Sequence, residues 1–597
     1  MRSHGARILR ASPPLSCLHF EDFESPYSRT GITAGLNGTR ESPDIWLHLF
    51  IGVISRLPML ISCPTALIII GSGDPLPGGD FAENLNFLCK IKSKEYSMTP
   101  LAIGFIIYLV GLMVIAMLCS RKQQNLPDFL LAGRRLGPWV VAFSERASGE
   151  SGWLLLGLTG LAYASGLGDP SGLKLEPAFW TMVGGISGLS LSWYVIARPL
   201  RSQSEQYGAL TMPRFFEAHL GKKSGRKSDP TLRLLATAII AFCFTFYIAA
   251  QFVAVGKALE STFGWNQQIG VLIGAAVIVF YTLMGGFLAV AWTDFLQGWL
   301  MLIALVVLPI VAMSQLGGWE AVSDKVAAIN PELLSITGGR SPILLFSGII
   351  SGFAIGLGYM GQPHLAVRYM SMSSASDTPQ ARRIAIVFGI LTYGGALLMG
   401  IVAIAWFGAG AFADTEKMMP TLAQEVFPGW LAGLVICGAL AAMMSTADSQ
   451  LLVTSSAFTE DVYHQEIHPD ASDEKLVKMG RWVTLSVGLL AFALSTQSGS
   501  SIFKKVLFAW SGLGSAFGPP LLLCLHWSRT TRNGVIAGMV SGLVTVLCWD
   551  NLGANEALSG WIPGLRLYSL VPGFLVSLLV TALVSLRGES RLTQNQD

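Results

Sequence analysis

Four polar residues stand close together near the end of a long apolar run: Ser445, Thr446, Asp448 and Ser449. On a helix, Ser445, Asp448 and Ser449 are spaced i, i+3 and i+4 and share one face, with Thr446 about 100° away from Ser445. A lone serine or threonine in such a run usually bonds back to its own backbone. A carboxylate there is costly and usually functional. Hard oxygen ligands of this kind suit a small hard cation.

Two other apolar runs are interrupted by residues that are weak helix formers. Residues 144–153 read SERASGESGW, and residues 352–361 carry four glycines ahead of Pro363. Backbone carbonyls freed at such breaks need partners inside a membrane. A transporter uses such breaks to offer carbonyls to a cation and helix ends to an anionic substrate group. The alternative is that the glycines merely allow close helix packing.

The depth of these residues follows from the predicted helix ends at ~1.5 Å rise per residue. Ala147 and Ser445 both come out at roughly 15 Å, so the carbonyls of the first break can face the Ser445 and Thr446 hydroxyls. Asp294 and Asp448 both come out near ~9 Å. With Ser449, these two carboxylates form a candidate second cation or coupling layer.

The chain that must position these residues is strongly apolar: 52% of its 597 residues are hydrophobic and 13% are charged, against about a quarter charged in soluble proteins. A spanning helix needs roughly 20 mostly apolar residues. The sequence predicts an all-α membrane protein whose thirteen helices have the approximate limits 99–119, 137–165, 177–197, 231–258, 268–284, 288–313, 342–366, 384–408, 429–454, 479–496, 501–526, 533–549 and 565–586. The two interrupted helices are then the first and sixth of a ten-helix core (about 137–526), which is the pattern of two inverted five-helix repeats.

Basic residues in the short loops predict the orientation. They cluster after the first, third, seventh and eleventh predicted helices, for example Arg121, Arg201, Arg368 and Arg529. Cytoplasmic loops are enriched in Lys and Arg, so the C-terminus is predicted to be cytoplasmic. The net charge of +3 implies no nucleic-acid partner.

Residues 1–97 are an atypical N-terminal extension with one apolar stretch, 45–72. This stretch is an extra span, a signal-like segment, or part of an upstream extension from a mis-chosen start codon. Met98 would be a natural start, because the first clean span follows it. The predicted division is therefore an extension, a transmembrane domain over 98–590, and a short cytoplasmic tail over 591–597.

Five motifs occur in order along the chain: AGRRLGP (132–138), SGWL (151–154), GGFLAVAWTD (285–294), GYMGQPH (358–364) and AAMMST (441–446). In these motifs the sequence resembles the sodium/solute symporter family, over about 98–590. The resemblance implies an amino-acid transporter-like fold with a 5+5 inverted-repeat core in the bacterial cytoplasmic (inner) membrane.

The resemblance further implies a sodium-coupled secondary active symporter that imports proline by alternating access, with the sodium ion, a small solute and the lipid bilayer as its partners and no cofactor. It places sodium on the backbone carbonyls of Ala147, Glu150 and Ala442 and on the hydroxyls of Ser445 and Thr446. It gives substrate contacts to Trp153, Tyr247 and Tyr359, and a part in coupling to Arg134 and Asp294. The aromatic residues have the alternative of being ordinary core residues.

Three positions depart from the proline transporters of the family. Gly149 stands where they have an aspartate, with Glu150 one place later, and Ile355 stands where a tryptophan is expected. Gln251 replaces a small residue and adds a polar group able to bond a substrate. These departures leave another amino acid or a small carboxylate as the alternative solute.

Three charged residues of the first break have open roles. Glu145 and Arg146 are candidate coupling or gating residues, or a structural ion pair, because buried charges are normally partnered. Glu150 has three alternatives: it binds the cation, accepts a proton, or pairs with Arg146.

Other function classes fit the sequence less well. A channel needs a continuous polar pore, and a transporter-like sensor needs a signalling domain that is not visible here. An ATP-driven pump needs a Gly-x-x-x-x-Gly-Lys-Ser/Thr loop, which the sequence lacks. With no catalytic constellation visible, the protein is predicted not to be an enzyme. The sequence gives no indication of oligomeric state.

Overall fold

The computed structural model describes residues 101–119, 125–172, 175–224, 230–496 and 502–594. The predicted extension (1–97) and its apolar stretch (45–72) lie outside these residues. The described chain is almost entirely helical, with one isolated β-bridge between Leu136 and Met372. The prediction of an all-α protein is confirmed.

The first half of the described chain forms helices of very different length. They are α1 (Leu101–Cys119), α2 (Leu126–Leu131), α3 (Pro138–Gly152), α4 (Thr159–Ser165), α5 (Ala178–Ser192), α6 (Arg198–Gln206), α7 (Met212–Ser224), α8 (Pro230–Phe263), α9 (Gln267–Leu302), α10 (Leu308–Gln315) and α11 (Trp319–Ile329). Short π-helical turns join α3 to α4, α5 to α6 and α9 to α10.

The second half continues in the same manner. Its helices are α12 (Pro342–Leu357), α13 (Pro363–Ser371), α14 (Thr378–Phe407), α15 (Met418–Val426), α16 (Gly429–Ser456), α17 (Asp473–Ser495), α18 (Ile502–His526), α19 (Arg532–Asn551), α20 (Ala554–Trp561) and α21 (Leu570–Gln594).

Eleven helical runs in the described residues are long and apolar enough to cross a membrane, so the predicted count of thirteen is not confirmed. One run, Gln267–Gln315, has 49 residues and would measure about 70 Å if straight, more than twice the ~30 Å of a bilayer core. Gly286, with φ 53° and ψ −170°, breaks it between two of the predicted spans. The charged segment Pro138–Ser165 covers the second predicted span but is not among the eleven.

The first predicted break is present between α3 and α4. Ser151 has φ 43° and ψ −174°, and the chain resumes as a π-helical turn over Trp153–Leu158. A non-glycine residue in this left-handed region costs of order 1–3 kcal/mol and persists only where its surroundings fix it. The interruption in residues 144–153 is confirmed.

The second predicted break separates α12 from α13. A 3₁₀ turn over Gly358–Gly361 is followed by Gln362 in an extended conformation, and Pro363 starts α13. Extended backbone is what a residue before proline prefers. A Cβ on Gly358 would lie 1.9 Å from Trp510 Nε1, so only glycine fits this approach.

Helix α16 is the central element around which the breaks are arranged. It packs against α3, α8 and α9, and its residues 435–456 are all buried. A helix surrounded on every side is expected to be apolar or small all round. Serine, threonine and aspartate on such a helix therefore face protein.

Candidate functional site

The hydroxyls of α16 point at the carbonyls of the first break. Ser445 Oγ donates to Ala147 O at 3.0 Å and to Ala442 O at 3.1 Å. Thr446 Oγ1 donates to Ser148 O at 2.9 Å and to Ala442 O at 2.9 Å. All five residues are completely buried. Three carbonyl oxygens and two hydroxyl oxygens from two helices thus meet in one cluster, which we call the oxygen cage.

The cage contains four of the five residues predicted to bind sodium. Ser148 joins them through its carbonyl, although the sequence did not single it out. The carbonyl of Glu150 instead accepts the backbone N–H of Trp153, and its side chain points elsewhere, as described below. Neutral oxygens at this spacing are ligands that a small hard cation accepts.

The predicted second layer is assembled next to the cage. Asp294 Oδ2 accepts hydrogen bonds from Ser144 Oγ at 2.6 Å and from Ser148 Oγ at 3.1 Å. Asp448 Oδ1 accepts from Ser449 Oγ at 3.0 Å. Ser148 Oγ and Ser449 Oγ lie 3.0 Å apart and join the two halves. The structure therefore brings Asp294, Asp448 and Ser449 together.

Two residues of this layer were missed by the sequence analysis. Arg368 Nη2 lies 2.9 Å from Asp294 Oδ2 and also contacts Ser148 and Ser449. Tyr281 donates to Asp448 Oδ2 at 2.6 Å. The loop pattern predicts that Arg368 lies in a cytoplasmic loop, which is wrong: it lies in α13 and is completely buried. The sequence contains a signal for this position, because Pro363 can start a new helix and Arg368 lies among apolar residues on it.

Two predicted substrate residues on α8 hydrogen-bond to the strained turn at Ser151. Tyr247 Oη lies 3.4 Å from Ser151 Oγ, and Gln251 Oε1 accepts the backbone N–H of Gly152 at 3.1 Å. The amide oxygen of Gln251 thus satisfies a donor freed by the break. Gln251 Nε2 is buried with no hydrogen-bond partner among the described residues.

The other predicted substrate residues form an aromatic cluster between the two breaks. Tyr359 Oη lies 2.7 Å from Tyr393 Oη, and Tyr393 packs edge-on against Trp153 with ring centres 5.8 Å apart. Trp510 packs edge-on against Tyr359 at 4.9 Å and donates to Ile355 O at 2.9 Å. Tyr393 and Trp510 were missed, because each lies far from both breaks in sequence.

The ion pair suggested for Glu145 and Arg146 is present and fully buried. Arg146 Nε donates to Glu145 Oε2 at 2.6 Å, and Arg146 Nη2 contacts Glu145 Oε1. Glu145 also accepts from Trp193 Nε1 at 3.0 Å and from Tyr369 Oη at 3.3 Å. Its carboxylate is therefore surrounded by donors.

Glu150 has different neighbours. Its Oε1 accepts the Thr392 hydroxyl at 2.8 Å and lies 4.0 Å from Arg146 Nη1. Its Oε2 and Arg146 Nη1 are buried with no hydrogen-bond partner among the described residues. The side chain of Glu150 is thus directed to α14 and the aromatic cluster.

Arg134 lies at a joint between helices, away from the cage. Its guanidinium donates to Ser204 Oγ at 3.0 Å, to Met370 O at 2.7 Å and to Ala209 O at 2.7 Å. Burial lowers the pKa of Arg134 to about 10, which leaves it charged at neutral pH. Arg134 thus links α13 to the end of α6 by hydrogen bonds. If Arg134 takes part in coupling, as predicted, it would do so by holding these two helices together.

Comparison with known proteins gives the family. A model of the sodium:solute symporter family matches residues 129–542. The sodium/proline symporter of Salmonella typhimurium is 37% identical over 506 residues, which are 84% of this chain and 95% of that protein. The high-affinity proline transporter of Bacillus subtilis is 38% identical over 478 residues, covering 80% and 95% of the two chains.

A solved structure supports the fold. The outward-open structure of a Na⁺-coupled sialic acid symporter superposes with a TM-score of 0.64 at 18% identity, covering 81% of this chain and 97% of that one. The predicted inverted-repeat membrane fold is confirmed by this match. By its sequence relatives and its matched motifs, the chain belongs to the sodium:solute symporter family.

Proposed function

We propose that this protein is a sodium-coupled secondary active symporter that imports proline by alternating access. The observation that carries the proposal is the oxygen cage, where two hydroxyls of α16 meet backbone carbonyls of the broken α3. Carbonyls freed by a helix break inside a membrane need partners. Here the two hydroxyls fill that role, and a bound cation is the partner that a transporter can exchange. The names of the relatives supply the solute and the coupling ion.

Sodium would sit on the carbonyls of Ala147 and Ala442 and the hydroxyls of Ser445 and Thr446, with the Ser148 carbonyl as a further ligand. A role for the Glu150 carbonyl would require the break to rearrange, because that carbonyl holds the Trp153 N–H. The Asp294 and Asp448 layer lies next to this site and would couple ion binding to α13 through Arg368. Sodium can shift the conformational equilibrium only by binding one state more tightly than the other.

We infer that the chain resides in the bacterial cytoplasmic membrane with its C-terminus in the cytoplasm. The excess of Lys and Arg in alternate loops supports this orientation. The buried Arg368 does not contribute to that argument, whereas Arg382 and Arg383, near the start of α14, are basic residues that follow the seventh predicted helix and support it.

A second candidate is a sodium symporter for another amino acid or a small carboxylate. The specific observation is that Glu150 and Gln251 place charged and polar groups beside the first break, at or next to positions where the family's proline transporters differ. Proline remains the first choice because relatives with that name match over most of their length.

The test is uptake of radiolabelled proline by proteoliposomes containing the purified protein, with an inward sodium gradient or with equal sodium on both sides. We expect gradient-dependent accumulation that other amino acids compete for only weakly. Liposomes without protein, and liposomes with a potassium gradient, are the controls. Uptake that merely equilibrates and ignores the sodium gradient would exclude symport, and strong competition by a different solute would exclude proline as the preferred one.

A further inference from the structure

The three charged side chains of the first break comprise two acids and one base, so their charges do not cancel. Glu145, Arg146 and Glu150 are all completely buried, so two carboxylates share one guanidinium. A buried charge is retained only if it is paired and hydrogen-bonded. Glu145 meets that condition through Arg146, Trp193 and Tyr369. The uncompensated charge is therefore that of Glu150.

The two polar atoms without a hydrogen-bond partner in this triad are of opposite charge and belong to neighbouring side chains. Glu150 Oε2 accepts nothing and Arg146 Nη1 donates to nothing within the described residues. Arg146 Nη1 lies 4.0 Å from the other Glu150 oxygen, too far for a hydrogen bond between them. An acceptor and a donor are thus left without partners side by side, and each destabilises the protein while it remains unsatisfied.

Aromatic rings lie next to this open pair. The Tyr359 ring stacks under the Arg146 guanidinium, 5.0 Å from its central carbon, and Tyr359 is bonded to Tyr393. Trp153 packs on Tyr393 in turn. Small-molecule sites in proteins have this composition: mostly aromatic and apolar walls with a few convergent polar groups that fix orientation.

We propose that Glu150 and Arg146 bind the two charged groups of a zwitterionic α-amino acid. Glu150 Oε2 binds the ammonium group, and Arg146 Nη1 binds the carboxylate. The inference rests on the proposed function, the sodium-coupled import of proline, and places the solute at the first break. The ammonium and carboxylate groups of an α-amino acid are bonded to the same carbon atom, which suits a donor and an acceptor on adjacent side chains. The bound ammonium group supplies the positive charge that the triad lacks, and the aromatic rings cover the apolar part of the solute.

The test compares proline with tetrahydro-2-furoate, in which an ether oxygen replaces the ring nitrogen, so the ammonium charge and its two N–H donors are lost while the carboxylate is kept. Sodium-driven uptake by the wild type should favour proline by at least about 100-fold, because a site built to bond a substrate group strongly rejects an analogue without it. Glu150→Gln keeps the acceptor for Thr392 but removes the charge. It should raise the half-saturating proline concentration at least about tenfold and shrink the preference over the furoate by a similar factor.

Glu145→Gln is the matched control, since it removes a charge from the same triad where the carboxylate is already satisfied. We expect it to lower the amount of folded protein and to affect the two solutes equally. An equal loss for both solutes in Glu150→Gln would overturn the proposal and make Glu150 a structural partner of Arg146. A raised half-saturating sodium concentration with unchanged solute preference would overturn it in favour of a sodium ligand.

A second measurement covers the case in which Glu150→Gln does not fold. Thermal unfolding of the purified wild type should shift upward with millimolar proline and not with tetrahydro-2-furoate or cyclopentanecarboxylate, because a ligand stabilises the state that binds it. Equal shifts with all three compounds would overturn the proposal. Sodium-driven proline uptake without discrimination would leave the proposed function standing while removing this inference, so the two failures are distinguishable.

Discussion

Replacing Ser445 with alanine tests the oxygen cage most directly. The change removes one hydroxyl that bonds Ala147 O on α3 at 3.0 Å and Ala442 O on its own helix at 3.1 Å. An interaction with a charged partner is worth about 1.5–3 kcal/mol, and each 1.4 kcal/mol is tenfold in affinity. We therefore expect the half-saturating sodium concentration for uptake to rise roughly 10- to 100-fold.

The control is Ser455→Ala on the same helix. Ser455 is also completely buried and also donates across to another segment, to Gly480 O at 2.6 Å. Both substitutions remove a buried hydrogen bond between helices, so each should lower the free energy of unfolding by about 0.5–1.5 kcal/mol. Only Ser445→Ala should change the sodium dependence.

The assay is a sodium titration of proline uptake in proteoliposomes, paired with thermal unfolding of each variant in sodium-free buffer. If Ser445→Ala has the sodium dependence of the wild type, the cage does not bind the coupling ion. If both variants shift the sodium dependence equally, the effect comes from general loosening of α16, and the site assignment also fails.

Other substitutions test the packing and the buried charges. Arg368→Gln should lower the free energy of unfolding by about 3–5 kcal/mol, because it leaves buried carboxylates without their cation; adding Asp294→Asn should recover part of that loss, and thermal unfolding of the single and double variants checks both. Gly188→Ala should reduce the amount of folded protein in the membrane, since its Cβ would lie 2.1 Å from the facing backbone, whereas Gly394→Ala on α14 meets open space and should be neutral. Equal amounts of the two glycine variants in the membrane would refute the close approach of the Gly188 and Gly356 backbones.

The placement of the proposed cation ligands on α16 was predictable because it follows from helix geometry. The spacing of Ser445, Asp448 and Ser449 fixes one face on any α-helix. The depth estimate placed Asp294 level with Asp448, and the structure joins them through Ser148 and Ser449. Residues on rigid, unbroken helices are thus located well by rise and rotation alone.

Residues near the breaks were harder to place. At Ser151 the chain leaves helical geometry, with φ 43°, so the rotation per residue no longer predicts where Glu150 points. Arg368 was misplaced for a related reason: the predicted span ends at residue 366, yet Pro363 starts a second half-helix that runs to Ser371 and remains inside the protein. The helix count was affected as well, since the break at Gly286 lies inside one continuous run.

The Asp294 and Asp448 layer resembles the charged triad of the first break, and this predicts opposite effects for the two carboxylates of the layer. Asp294, Asp448 and Arg368 are all completely buried, so here too one guanidinium serves two acids. Arg368 pairs directly with Asp294, whereas Asp448 is held by the hydroxyls of Tyr281 and Ser449. Asp448 therefore carries the charge that lacks a direct counter-ion.

In sodium-free buffer, Asp448→Asn should raise the temperature of unfolding, because it removes an unpaired buried charge while keeping an acceptor for Tyr281. Asp294→Asn should lower it, because it breaks the contact with Arg368. The gain from Asp448→Asn should disappear when sodium is added, since a bound cation compensates the same charge in the wild type. Shifts of the unfolding temperature with the same sign in both variants would refute this account. If sodium coupling survives in the double variant Asp294→Asn, Asp448→Asn, the layer is not part of the ion pathway.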